Sequence, residues 1–429
     1  MEVLDTLIGC LRRCCAALPD RRTGANARYT MADIGLSAFS VFFLQSPSFL
    51  AHQRQLAEGH GRSNCQTLFG IEQIPTDSHI RALLDPVPPE HFFSLFGDIV
   101  AHLEATGGLA AFQRLGEHVL IALDGTQYHR SAKVHCPHCS TRTRPSQPAE
   151  YFHTLLCATL VAPGHSKVVP LEPEFVVPQD GHDKQDCESR AARRWLAQHG
   201  PAYARLKPIY LGDDLYARQP LCGAVQAAGG HFLFVCKPAS HPTIQEYLTG
   251  VEMPEHVVRV KRGRERLTHR YRWLCDVPLR GDEQALAVNW LSVEIVNATG
   301  KVTYQNSFIT DLPVGAATVA ELAACGRARW KIENESFNVL KTKGYHLAHN
   351  FGHGKEHLSA VLATLNLIAF AIHTLCDLAA GSWRQAVASI GARTRFFQRM
   401  RAITAYLIFP SWAHLLETLA FARAPPVPP

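Results

Sequence analysis

HVLIALDGTQ, residues 118–127, is a short apolar run that stops at an Asp-Gly pair, and PIYLGDDLYA, residues 208–217, repeats the plan. A brief greasy segment closed by turn residues reads as a strand buried on both faces. Each run ends in acids: Asp124 in one, Asp213 with Asp214 in the other. In open α/β sheets, sites form at the carboxyl ends of strands. A carboxylate at such a place is costly unless it is solvated, hydrogen-bonded or bound to a cation. Two of them on neighbouring strands point to a shared divalent ion, and magnesium takes hard oxygen ligands, one or two carboxylates plus substrate phosphate oxygens. Each acid also has a plain structural explanation, an Asp-Gly turn for Asp124 and a helix N-cap for Asp213 or Asp214.

Working outward, YFHTLLCATLVAP (151–163), KVVPLEPEFVV (167–177) and HFLFVCKP (231–238) are further strand-like runs. DCESRAARRWLAQHG (186–200), with Gly200 as its stop, and RQPLCGAVQAAGG (218–230) read as helices. This order predicts an α/β, mixed α+β, sheet core covered by helices over 116–238. Residues 239–316 carry HRYRWLCDVPL, LAVNWLSVEIV and VTYQNSFITDL, which predict a β-rich insertion. The core resumes over 317–380, and 381–429 is a helical C-terminal region with a Pro-rich tail, APPVPP. Residues 1–115 read as helical. MADIGLSAFSVFFLQ has helical apolar spacing with Asp33 in its first turn, and PTDSHIRALLD has a helix start at Thr-Asp-Ser. This region is either a DNA-binding element or a scaffold, since no basic recognition helix marks it.

Composition sets bounds. The 429 residues are 47% hydrophobic and 19% charged, which excludes a disordered chain, and the net charge of +6 is compatible with a polyanionic partner. Thirteen scattered Cys predict reduced thiols in a cytosol. The first residues, with Glu2 and Asp5, do not read as a secretory leader. The longest apolar run, Leu358 to Ala380, is long enough to span a bilayer. Its Ser359, Thr364, Asn366 and His373 favour a helix packed inside a soluble protein, with no membrane partner.

RARWKIENESFNVLKTKGYHL (327–347) supplies the third acid. Arg329, Glu333 and Phe337 stand at i, i+4 spacing on one helical face. With LDGT at Asp124, YLGDDLY at Asp213 and R-W-K-I-E at Arg329 to Glu333, the chain resembles the DDE-class insertion-sequence transposases. In that family a ribonuclease-H-like core carries a β-rich insertion before the last acid. The family's pattern places Asp at the ends of the first and fourth strands and Glu on a late helix with a Y-x2-R-x3-E-x6-K signature. The resemblance covers about residues 118–365. It implies catalytic, metal-holding roles for Asp124, Asp213 and Glu333, with two Mg²⁺ or Mn²⁺ ions about 3.5–4 Å apart. The partners it implies are element terminal inverted repeats and target DNA, bound by a homodimer, and the setting a bacterial cytoplasm.

The departures are specific. The signature Tyr falls on Gly326 and its Lys on Leu340, so the phosphate-binding base is Lys341 or Lys343. Asp214 and Glu335 are the alternates to Asp213 and Glu333. Arg329 and Lys341 would clamp backbone phosphates. VKRGRERLTHRYRW (260–273), with Lys261, Arg262 and Arg264, is either a DNA-backbone contact or a solvated hairpin.

Cys136-x2-Cys139 in VHCPHC is a zinc half-site, with His129, His135, His138, His153 and Cys157 near it but no second paired motif to close the set. YHLAHNFGHGKEH (345–357) offers His346, His349, His353 and His357, yet no H-E-x-x-H, which argues against a metalloprotease. The acid-rich QDGHDKQDCE (179–188) is either a further metal group or a solvated loop. Two other functions compete with transposition: another ribonuclease-H-like nuclease or resolvase, and a catalytically inactive zinc-containing DNA-binding protein.

Overall fold

A computed structural model of the chain describes residues 3–23, 28–57, 60–178, 186–263 and 265–421. The strands are β1 (Gln113–Arg114), β2 (His118–Ser131), β3 (Ser140–Arg142), β4 (Glu150–Val161), β5 (Val169–Val176), β6 (Ile209–Gly212), β7 (His231–Val235), β8 (Glu255–Arg262), β9 (Glu265–Pro278), β10 (Ala287–Asn297) and β11 (Val302–Thr310). They form one mixed sheet in the order β3-β4-β2-β6-β7-β11-β10-β9-β8, with β5 also on β4 and β1 on β2. β4 pairs antiparallel with both β2 and β5, whereas β6 runs parallel to β2 and β7 parallel to β6. The helix Glu188–Gln198 links β5 to β6, and Gln219–Ala227 links β6 to β7. The mixed sheet core with a β-rich extension and flanking helices is the class the sequence predicts.

The insertion opens with a short helix, Pro242–Leu248, and then extends the same sheet. β11 pairs antiparallel with β7, Phe308 opposite Val235 and Thr310 opposite Leu233, so a continuous ladder runs from the core strands to β8. The basic stretch is the β8–β9 hairpin, turning at Gly263 with φ +61° between Arg262 and Glu265.

Local chemistry sets the helix starts. Thr30 and Asp33 cap each other's backbone at the head of Met31–Phe43, and Thr76 accepts from the His79 amide at the head of Asp77–Leu84. Gln198 ends the helix Glu188–Gln198, but Gly200 does not stop the chain: it opens a second turn, Gly200–Tyr203. A Cβ on Gly200 would come within 2.6 Å of the Ala228 Cβ, so close packing, not termination, explains that glycine.

Leu358–Ala379 is long and apolar enough to cross a membrane, and 89% of its most apolar window is buried inside the protein. It packs on β5 and on the N-terminal helices Met31–Phe43 and Ser94–Ala105. Phe43 meets His373 of this helix at 4.5 Å between ring centroids and Trp412 at 5.2 Å, which joins the two ends of the chain in one core. The carboxylate of Asp85 accepts backbone hydrogen bonds from Lys355, Glu356 and Leu358, fixing the start of that helix from the N-terminal side.

Candidate active site

Asp124 does not end its strand. β2 continues to Ser131 because β4 goes on pairing beside it, Asp124 opposite Cys157 and Ser131 opposite Tyr151. What ends at Leu123 is the fully buried stretch, and the sequence carries that boundary rather than the strand's own. Asp213 does follow its strand directly, since β6 closes at Gly212. The parallel register pairs Leu120 with Ile209 and Ala122 with Leu211. Continued by two residues, it brings Asp124 and Asp213 abreast.

Asp213 closes a local turn, accepting from the Leu215 amide at 2.8 Å. Asp214 faces elsewhere: it accepts from the Lys237 amide at 2.6 Å and lies 3.3 Å from His241 Nε2. The charge of Asp213 raises the Asp124 pKa.

Arg329 joins the third acid to the first. Its Nη1 lies 2.7 Å from Glu333 Oε1 and 3.4 Å from Asp124 Oδ2, so one nitrogen serves both carboxylates. The Glu333 side chain is 50% exposed whereas Asp124 is 15%, so the pocket opens to solvent on the Glu333 side. Glu335 and Lys343 instead line a separate cavity with Ser166, Lys167 and Arg393.

The helix carrying Glu333 explains the departures from the signature. Ile332–Phe337 is a π-helical turn followed by the α-helical Asn338–Thr342. A π turn absorbs one extra residue, so the residue eight after Glu333 takes the direction an α-helix gives to the seventh. Lys341 accordingly reaches β2, where its Nζ donates to Thr126 Oγ1 at 2.6 Å. Thr126 and Asp124 share a face of β2, two residues apart. Burial lowers the Lys341 pKa. At Gly326 a Cβ would come within 2.6 Å of the Phe308 ring, so the helix Val319–Arg327 has no room for a tyrosine there.

One acid of the pocket was hidden in the sequence. Glu188, in the first turn of Glu188–Gln198, accepts from Tyr216 Oη at 2.6 Å and from the Gly125 amide beside Asp124. A Cβ on Gly125 would strike the Glu188 carboxylate, so only glycine allows this approach. The sole clue was an acid opening a helix at the edge of an acid-rich stretch. Most of that stretch, 179–185, lies outside the described residues; Asp186 is buried under Arg194, with Nη2 to Oδ2 at 2.7 Å.

Burial and the negative charge of Glu188 push Asp124 up to about 7 against the pull of Arg329, with Glu333 and Asp213 adding to the rise. Burial likewise raises Glu188, opposed by the Tyr216 hydrogen bond and reinforced by Asp213. Among the described residues four carboxylates outnumber Arg329 and, at the edge, Lys341, which leaves a surplus of negative charge in a half-buried pocket of hard oxygen donors. That donor set fits a divalent cation of the magnesium type.

A second polar cluster lies further along β2 and β4. Cys136 and Cys139, from the β2–β3 connection, meet His153 of β4 and His353 of the segment before Leu358–Ala379, with all four ligand atoms within 4.8 Å of one another. The other sequence neighbours stay out. Cys157 is buried in β4, His135 stacks on Tyr151, His138 stacks on His357, and His129 turns its Nε2 to the Val134 carbonyl while its ring packs 4.3 Å from that of His353. The remaining basic candidates are remote from the carboxylates in sequence and strand order: Lys261 is exposed on β8, the side chain of Arg262 is not described, and Arg264 lies outside the described residues. All thirteen Cys are free thiols.

No family model and no curated protein matches the chain. Among solved structures it is similar to the piggyBac transposase in its synaptic complex with hairpin DNA, seen by cryo-EM, at 10% identity and a TM-score of 0.40 over 99% of this chain and 84% of that one.

Proposed function

We propose that the chain is a DDE-class transposase that cuts DNA at element ends and joins the freed strand to target DNA. The observation that carries this reading is the Arg329 nitrogen shared by Asp124 and Glu333, with Asp213 abreast of Asp124 on the next strand. Three acids far apart in sequence occupy one pocket, and the Arg-x3-Glu spacing accounts for the contact. Asp124, Asp213 and Glu333 are the residues that hold the metal. Bound there, Mg²⁺ or Mn²⁺ lowers the pKa of an attacking water and neutralises the leaving oxygen of a phosphodiester.

The chain's own groups do the rest. Arg329, which lies between Asp124 and Glu333, would supply its guanidinium to backbone phosphate. Lys341 offers an ammonium from the rim of the same pocket, held in register with Asp124 by Thr126. Glu188 holds the Gly125 amide and, through Tyr216, the turn after β6, keeping the two strand acids at a fixed spacing. Lys261 and Arg262 on β8, with Arg264 outside the described residues, are assigned to the DNA backbone.

The test is cleavage and strand transfer on DNA bearing the inverted repeats that bracket the reading frame, with Mg²⁺. Asp124→Asn should abolish both reactions and spare DNA binding. Cleavage by that variant at the wild-type rate would refute the assignment. Cleavage without strand transfer would instead favour a nuclease or resolvase. DNA binding with neither reaction would favour the zinc-containing binding protein that the Cys/His cluster allows.

A further inference from the structure

We propose that Cys136, Cys139, His153 and His353 form a closed tetrahedral zinc site that clasps the segment after the Glu333 helix to the sheet. The distances are those the ion requires. Zinc bonds of about 2.3 Å to sulfur and 2.0–2.1 Å to nitrogen, at tetrahedral angles, set two sulfurs about 3.8 Å apart and sulfur about 3.6 Å from nitrogen. Here the sulfurs stand 3.9 Å apart. His153 Nε2 lies 3.5 Å from Cys136 Sγ and 3.4 Å from Cys139 Sγ, and His353 Nε2 lies 3.5 Å from Cys139 Sγ. A disulfide would draw the sulfurs to roughly 2.05 Å, about half the separation found.

Burial and chemistry agree with the geometry. Cys139, His153 and His353 are buried and Cys136 is half-buried. Two thiols and two imidazoles offer soft and borderline donors, the set zinc selects over magnesium. Left without an ion, they would have only weak sulfur contacts in place of water, and His353 Nδ1 already has no hydrogen-bond partner. Four protein ligands leave no open position, which marks a structural rather than a catalytic centre.

The ligands also come from places that need tying. Cys136 and Cys139 lie between β2 and β3, His153 on β4, and His353 two hundred residues after His153. His353 sits in the connection between the helices Asn338–Thr342 and Leu358–Ala379. Next to it, Gly354 has φ +70° and lies against the Asp85 carboxylate, so the same connection is gripped from the N-terminal side. The clasp therefore sets where the end of the Lys341 helix lies relative to β2.

The test reads metal, not catalysis. Full-length chain purified in reductant without chelator should carry close to one zinc per chain by mass spectrometry. Cys139→Ser and His353→Ala should lower that content roughly tenfold or more, whereas Asp124→Asn keeps it. Failure of this site and failure of the transposase reading are thus separable. Should the ligand variants not fold, Co²⁺ exchange into the wild-type chain decides: tetrahedral d–d bands with thiolate charge transfer support the site. Chain that is zinc-free as purified and takes up no tetrahedral Co²⁺, or a Cys136–Cys139 disulfide in freshly purified protein, would overturn it.

Discussion

The carboxylate pocket, with Asp124 on β2, and the Cys/His cluster, with His153 on the paired strand β4, differ in almost every physical respect. One gathers hard oxygens with a surplus of negative charge and an open side at Glu333. The other gathers sulfur and neutral nitrogen in a sealed nook, burial and neighbouring imidazoles pushing His153 down to about 3. A half-open pocket whose charges are unbalanced is prepared to receive something; a closed one whose donors saturate a single ion is prepared to hold still. The two stand on paired strands, β2 and β4, a few ladder positions apart, so the closed one is placed to steady the open one.

Substitutions at the first cluster should break this contrast most visibly. Asp124→Asn or Glu333→Gln should cut the cleavage rate at least about a thousandfold, with zinc content and melting temperature near wild type. Stripping zinc with a chelator should come next, lowering wild-type stability by several kcal/mol while leaving the Cys139→Ser melting temperature unmoved. A chelator effect equal in both would remove the distinction. Lys341→Ala should slow cleavage about ten- to a hundredfold without lowering zinc, Lys341→Arg recovering part of the loss. The last effect is on stability alone and belongs to an acid outside both clusters. Glu172, buried on β5 and accepting from Tyr203 Oη at 2.8 Å, is pushed by burial up to about 7 from an ordinary 4.5. Folding therefore favours its protonated form. That contribution is complete below pH 4.5 and is lost as pH rises through 7, on the order of 3 kcal/mol. Glu172→Gln should flatten that part of the pH–stability profile, as read by denaturant melts at pH 5 and pH 8.

Local rules made much of this visible in the sequence. The buried runs of β2, β6 and β7, the helix start at Thr76 and the place of Asp33 in a first turn are short-range features, and they were legible as such. The Arg329–Glu333 pair was legible too, because i, i+4 spacing is a local constraint. Lys341 was readable only as one of two candidates, since nothing in NESFNV announces a π turn. Glu188 and His353 were hidden for a different reason. Each reaches its cluster through tertiary packing across long stretches of chain, and neither carries a spacing that records the partner. The ladder from β7 to β11 was equally silent, as strand runs in a sequence do not say which edge they join.

That ladder has a structural price for any shorter relative of this chain. Excising the segment from β8 to β11 would bare the flank of β7, leaving the backbone groups of Leu233 to Val235 facing water or another molecule's strand. The outermost strand of the present sheet meets the same hazard with charge, Arg259 and Lys261 standing among the exposed Val257 and Val260. The extension thus moves the sheet's raw border away from the carboxylates to a rim whose cations repel a second sheet and attract a polyanion.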